Sequence, residues 1–317
     1  MKKTLLLSIG VLFSWLAEAQ MTASSNFNSS KNWSRHKKEY FFVIGATQFL
    51  GDLGGRDQVG TQNSPVDIDW GASRFGGGGG FRYRFHPYFA TTTQFYAGMV
   101  SGDDAFTDEI IRRSRNLSFR SPILELSQRL DWIFLTNESA GARYRRAGTR
   151  GKRAKSDQVY LFGGIGGFFF NPQMNINGTW TNLRPLRTEG QGLPGGPDEY
   201  SRFSVSIPMG VGGRIGIGPF WRIGLELSYH LTFTDYIDDV STNYYDPEIL
   251  AQEIGPEAAY ASNPAIENQH WFNPGQQRGN PDDNDTYLLA NIVLSRNITF
   301  SKPPGSRKVR WGGRTKF

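Results

Sequence analysis

The sequence predicts an all-β fold: an eight-stranded antiparallel transmembrane β-barrel with a plugged lumen and both termini periplasmic. Three observations predict it. Segment after segment alternates apolar with small or polar residues at a period of two, the signature of a strand with two unlike faces. The connections alternate short and long, as they do in outer-membrane barrels. An export leader stands in front of them all.

The leader is residues 1–19. Lys2 and Lys3 make a positive start, Leu5 to Leu16 an apolar stretch too short to span a bilayer as a helix, and Ala17-Glu18-Ala19 a small-x-small cleavage site. The mature chain is expected to begin at Gln20, with a basic lead segment (20–38), the barrel (39–300) and a basic tail (301–317). After the leader no window offers the roughly 20 apolar residues of a spanning helix, so membrane residence would require strands. A mean hydropathy of -0.46 is no objection, because a barrel turns only alternate residues to lipid. The chain has no cysteine, which excludes a disulfide scaffold, a cysteine-ligated zinc site and a lipoprotein anchor. Its 38 glycines in 317 residues exceed the usual share of about 7% and suit a crowded barrel interior.

The first strand, 40–50 (YFFVIGATQFL), is apolar on both parities, so its facing stays open. Next, Phe75, Phe81, Tyr83 and Phe85 oppose Gly76, Gly78, Gly80, Arg82 and Arg84, and a tight turn at His86-Pro87 leads to Phe89, Thr91, Thr93, Phe95 and Met99. In 122–134, Leu124, Leu126, Leu130, Trp132 and Phe134 face away from Glu125, Ser127, Arg129 and Asp131, with Gln128 the single misfit. Segment 159–170 (VYLFGGIGGFFF) is again ambiguous in facing. A hairpin follows in which Phe203 through Ile215 and then Trp221 through Phe233 keep one apolar face across a short turn at Gly218-Pro219. The last strand, 287–300, sets Leu288, Ile292, Leu294, Ile298 and Phe300 against Asn291, Ser295, Asn297 and Thr299. Eight is even, as closure with both ends on one side requires.

The polar faces share one lumen in this scheme: Arg82, Arg84, Glu125, Arg129, Asp131, Arg214, Arg222, Glu226 and His230. An eight-stranded barrel has room inside only for side chains, so these residues are expected to form an ionic plug and no pore. Phe85, Tyr88, Trp132, Trp221 and Phe300 read as the periplasmic aromatic girdle. The long connections 51–71, 101–121, 171–201 and 235–285 read as outer loops.

One long connection, 138–157, falls on the short-turn side and carries Arg143, Arg145, Arg146, Arg150, Lys152, Arg153 and Lys155. The tail adds Lys302, Arg307, Lys308, Arg310, Arg314 and Lys316, and the lead segment four more bases. With Glu39 counted at the end of the lead segment beside Glu138 and Asp157, these periplasmic pieces hold 17 basic and 3 acidic residues, a field that attracts acidic partners. Solubilising faces are the plainer reading of any one such run; three runs on one side favour a docking surface for an acidic protein or for lipid phosphates. Nucleic acid is not an expected partner in that compartment. The loop 235–285 has eleven acids and one base, Arg278, and reads as solvated; calcium or lipopolysaccharide-linked cations are the alternative, although no spacing matches a calcium loop.

Catalysis finds little footing. The four histidines, His36, His86, His230 and His270, fall in four different places, with no serine, carboxylate and histidine brought together. The glycine run 76–80 lacks the lysine of a phosphate loop and reads as relief of crowding. No cofactor and no metal are expected.

The blocks FLGDLGG (49–55), RYRFHPYFA (82–90), SGDDA (101–105), RNLSFRSPILELS (115–127), YLFGGIGGFFFNP (160–172), SIPMGVG (206–212) and LTFTDYIDDVSTNYYD (231–246) resemble, in order, the PorG family of Bacteroidetes outer-membrane proteins. That resemblance implies a component of the type IX secretion system, which exports proteins and supports gliding in some members. Its implied partners are the periplasmic ring proteins of PorK and PorN type, besides outer-membrane lipid and lipopolysaccharide, and its implied role is an anchor. Two other classes remain open from the residues: a lipid-modifying barrel enzyme, which needs a histidine set at the outer rim, and an adhesin or receptor that uses the long loops.

Overall fold

A computed structural model describes residue 33 and residues 37–53, 71–106, 110–139, 155–217, 220–265 and 267–298. Ten strands run in chain order: β1 (Lys38–Leu50), β2 (Arg74–His86), β3 (Phe89–Asp103), β4 (Ser118–Ser139), β5 (Lys155–Phe170), β6 (Gln173–Ile176), β7 (Thr179–Asn182), β8 (Phe203–Gly216), β9 (Trp221–Thr232) and β10 (Thr286–Ile298). Eight of them pair antiparallel in the cycle β1-β2-β3-β4-β5-β8-β9-β10 and back to β1. The β3–β4 and β1–β10 ladders close the sheet, so the barrel has no free edge. The short β6–β7 hairpin stands outside the cycle, joined to β4 where Arg120 faces Gln173.

The eight-stranded antiparallel barrel expected from the alternation is therefore present, with several boundaries moved. β3 continues to Asp103 and β4 begins at Ser118, so the connection read as 101–121 is shorter than expected. β4 is 22 residues long against the expected 122–134, because its ladder with β3 continues back to Ser118 and its ladder with β5 continues on to Ser139. β10 ends at Ile298, and Phe300 lies outside the described residues, as does the Gly218-Pro219 turn.

The exterior is apolar. Phe42, Ile44, Phe75, Phe95, Leu126, Leu130, Ile165, Leu225, Leu227 and Ile292 are all half or more exposed or close to it, the reverse of a soluble sandwich, which hides such residues between its sheets. Phe85, Tyr88, Trp132 and Trp221 ring the end where the short turns lie. Gln128 faces outward, as its place in the alternation demands. Its amide is held there by Thr93 and Thr91 across the β3–β4 ladder, which lowers the cost of a polar group on an apolar belt.

The two strands of uncertain facing are resolved by their partners. In β1, Tyr40, Phe42 and Ile44 point outward, and Glu39, Phe41 and Val43 point in; in β5, Leu161 and Ile165 point outward, and Tyr160, Phe162, Phe168 and Phe170 point in. Large inward rings need space, and glycines opposite supply it. A Cβ on Gly212 would overlap the Tyr160 ring, and one on Gly76 would overlap the Tyr96 hydroxyl.

Candidate functional site: a filled lumen beneath a folded cap

All nine residues assigned to the lumen are buried, and the structure sorts them into distinct sets. Nearest the strand ends that bear the short turns, Glu39 receives Arg214 at 2.5 Å and Arg222 at 2.8 Å, one on each oxygen. Arg222 also donates to Asn297, and Arg214 to Gln158. Arg84 sits at the rim, where it reaches Glu138 at 2.5 Å and the Pro87 carbonyl.

The middle set is a four-charge cluster. Arg129 Nη2 donates to both oxygens of Glu226, at 2.8 and 2.9 Å, and Arg82 Nε meets Asp131 at 2.6 Å. Arg82 Nη2 also reaches Glu226 at 3.5 Å, the Tyr160 hydroxyl donates to Glu226, and Thr92 donates to Asp131. The two guanidinium groups lie over rings, Arg82 above Tyr160 at 4.4 Å and Arg129 above Phe162 at 4.1 Å. Two cations thus balance two anions. That balance is what a buried ionic cluster requires if desolvation is not to dominate.

Above it, Glu125 accepts from Ser206 at 3.0 Å and from the Tyr287 hydroxyl, and lies 2.9 Å from His230 Nδ1. His230 stacks on Tyr287 with ring centroids 4.6 Å apart, and its other nitrogen is 3.0 Å from Ser228 Oγ. From this level outward the filling changes character. Phe49, Tyr96, Val100, Phe119, Ile123, Phe168 and Phe170 fill the outer half with an apolar core. Alternation signals which face a residue takes; it does not signal what fills the space that face encloses.

The outer connections close over this core as a folded cap, so the solvated reading of 235–285 holds for Glu248, Glu253, Glu257, Glu267 and Asp282, which are exposed, and fails for Asp235, Asp238, Asp239 and Asp285, which are buried. Ile237 and Val240 are fully buried against the barrel core. Two short helices, α1 (Pro247–Glu253) and α2 (Pro256–Ser262), pack Leu250, Ala258 and Ala261 on Met174 and Ile176 of the β6–β7 hairpin. Asp246 caps α1 by accepting from the Glu248 amide at 2.9 Å. Two arginines tie the loops together. Arg115 holds Asp104 with two donors and donates to the carbonyls of Asp52 and Arg278. Arg278 reaches Glu189 at 3.0 Å and the Asp239 carbonyl, and Glu189 also accepts from Thr242.

Burial perturbs several cap groups. Asp239 is pushed up to about 6 by burial, partly opposed by Arg278 and by hydrogen bonds from Thr188 and Tyr200. Asp235, Asp238 and Asp285 are all raised first by burial, then Asp235 by the charge of Asp238, Asp238 by that of Asp52, and Asp285 by those of Asp238 and Asp235. Among the described residues no group of three His, Cys, Asp or Glu side chains is gathered as a ready metal cage.

Of the basic docking candidates, Arg143, Arg145, Arg146, Arg150, Lys152, Arg153, Arg307, Lys308, Arg310, Arg314 and Lys316 lie outside the described residues; Lys155 opens β5, with its side chain likewise outside them. Glu39, counted among the acids of the periplasmic face, belongs to the lumen. Sequence reasoning missed Glu39, Tyr160 and Tyr287 as lumen residues, and Arg115, Asp104 and Glu189 as cap fasteners.

No family model matches the chain, and no curated protein matches it. Solved structures similar to it include the N-terminal barrel domain of OprF from Pseudomonas aeruginosa (7% identity, 83% of this chain, 98% of that one, TM-score 0.32). OprG from the same organism is 10% identical over 83% of this chain and 98% of its own, with TM-score 0.34. Ail from Yersinia pestis is 11% identical over 83% and 99%, with TM-score 0.31. The eight-stranded barrel stands on the closed ladders described above.

Proposed function

We propose that the chain is an outer-membrane barrel that serves as a structural anchor of a type IX secretion apparatus and docks a periplasmic ring of PorK and PorN type. The observation that carries the anchor over a conduit is the filled interior. Ionic sets occupy the half toward the short turns, an apolar core occupies the other half, and a cap covers it, so cargo has no room to pass. The sequence blocks that resemble the PorG family supply the identity of the apparatus. The basic runs supply a means of docking, since clustered charge sets orientation and association rate even where each exposed pair contributes only about 0 to 1 kcal/mol.

The test reverses charge at Arg145, Arg146, Arg150 and Arg153, or removes residues 302–317, and follows heat-modifiable migration, membrane insertion, recovery of ring proteins and secretion. Normal insertion with lost ring recovery is the expected result. Recovery equal to that of the parent at low and at high salt would place docking elsewhere.

A further inference from the structure

In the described cap, six buried acids stand against two buried bases: Asp104, Glu189, Asp235, Asp238, Asp239 and Asp285 against Arg115 and Arg278. Arg115 serves Asp104 and Arg278 serves Glu189. Asp239 is served by the Thr188 and Tyr200 hydroxyls. Asp235, Asp238 and Asp285 form no ion pair among the described residues, and Asp285 is drawn beside the Asp235 segment by the Ile237 amide and the Thr234 carbonyl. Asp238 spends its oxygens on the main-chain amides of Val240 at 2.9 Å and Leu53 at 3.2 Å, and Asp285 spends one on the amide of Ile237 at 2.8 Å. The remaining oxygens, both of Asp235 and Oδ1 of Asp285, are buried with no hydrogen-bond partner. Ser241 is a polar side chain beside Asp235.

A buried carboxylate oxygen with nothing to accept from costs at least as much as any unmade hydrogen bond, and several kcal/mol more if it is ionised. A shared proton answers only in part, because a protonated Asp235 that donates to Asp285 Oδ1 still leaves its own second oxygen with nothing to accept from. A hard cation answers better: it takes oxygens only, accepts irregular geometry, and is neutralised by two nearby carboxylates. The backbone packs close against these acids. A Cβ at Gly51 would collide with Asp285 Oδ1, and one at Gly279 would come within 2.6 Å of Asp52 Oδ2.

We propose that the cap holds one calcium ion between Asp235 and Asp285, with Asp238 supplying further negative charge and main-chain carbonyls and water completing the shell. Two residues give at most three side-chain oxygens, in keeping with the lack of a three-residue cage. The cation would pin the plug segment around Ile237 to the start of β10, because Asp235 opens that segment and Asp285 immediately precedes the strand. Calcium is favoured over magnesium because the latter demands octahedral order that a two-residue site does not impose.

The experiment uses the full chain in detergent micelles and terbium as the probe, its luminescence sensitised by the adjacent Tyr236. One saturable terbium per chain, displaced by calcium and weakened tenfold or more in Asp235→Asn and in Asp285→Asn but unchanged in the surface variant Asp246→Asn, is the expected result. Heat-modifiable migration checks that each variant is folded. For the unmodified chain, cap proteolysis should slow in calcium and quicken in chelator. Absence of saturable terbium, or equal binding by the three variants, would overturn the site. Proteolysis that responds to acidification and not to calcium would show that the carboxylates share protons instead.

Discussion

Replacing Glu226 with alanine should cost the barrel more than any other single lumen change. The residue accepts two bonds from Arg129, a longer one from Arg82 and one from the Tyr160 hydroxyl, all in the dry interior. Removal leaves Arg129 with only a 3.5 Å approach to Asp131, whose other oxygen Arg82 already occupies. Breaking a buried pair by deleting one partner costs about 3 to 5 kcal/mol. Asp131 still compensates part of the charge, so a loss near 3 kcal/mol is expected. Glu226→Gln keeps volume and an acceptor and should lose about 1.5 to 3 kcal/mol. The double change Arg129→Met with Glu226→Leu removes both partners and should recover most of the stability. Urea unfolding in micelles, followed by tryptophan fluorescence and by the folded band on unboiled gels, measures all three. A Glu226→Ala variant within about 1 kcal/mol of the parent, or a double variant as weak as the single, would refute the account of a balanced four-charge cluster.

Three further outcomes are expected. Purified protein in planar bilayers should give no stable conductance, and large steady currents would contradict the filled lumen. Gly212→Val should destabilise the barrel by about 1 to 3 kcal/mol by driving a side chain into the Tyr160 ring, measured by the same urea titration. The Asp239 carboxyl, raised to about 6 in the folded cap, contributes stability that is fully present below its unfolded value near 4 and is lost as pH rises through about 6. Hydrogen exchange around residues 188–200, in chelator, should therefore slow as pH falls from 7 to 5 after correction for intrinsic rates, by about 1 kcal/mol of protection, and Asp239→Asn should flatten the dependence.

The barrel was legible because an apolar exterior and a charged interior impose a period of two that survives in Phe203–Gly216 and Trp221–Thr232 without exception in facing. β1 and β5 were not legible in facing, since both of their faces are apolar and only pairing decides. That indeterminacy hid Glu39 and Tyr160, whose chemistry depends on pointing inward. The cap was misread for a related reason. A high density of acids signals solvation only when nothing covers them, and Arg115, Arg278 and the apolar Ile237 that draw the loops inward lie far apart in sequence. Gln128 shows the converse: a break in an apolar pattern that changes no facing, because neighbouring threonines satisfy it.

The order of the fillings limits how such a molecule can act. The ionic sets are held by strands whose ladders are continuous around the barrel, so they cannot rearrange without breaking main-chain bonds or exposing unpaired charge. The cap is held differently, by the side-chain bonds of two arginines and by apolar packing on the barrel core and on the β6–β7 hairpin, with only a single bridge from that hairpin to a barrel strand. Openings of lowest cost should therefore begin at the cap and stop at the apolar core, leaving the lumen closed. A change sensed outside would reach the opposite face only through rigid strands. That arrangement suits a part that holds position across a membrane while other components move, and it does not suit a gate.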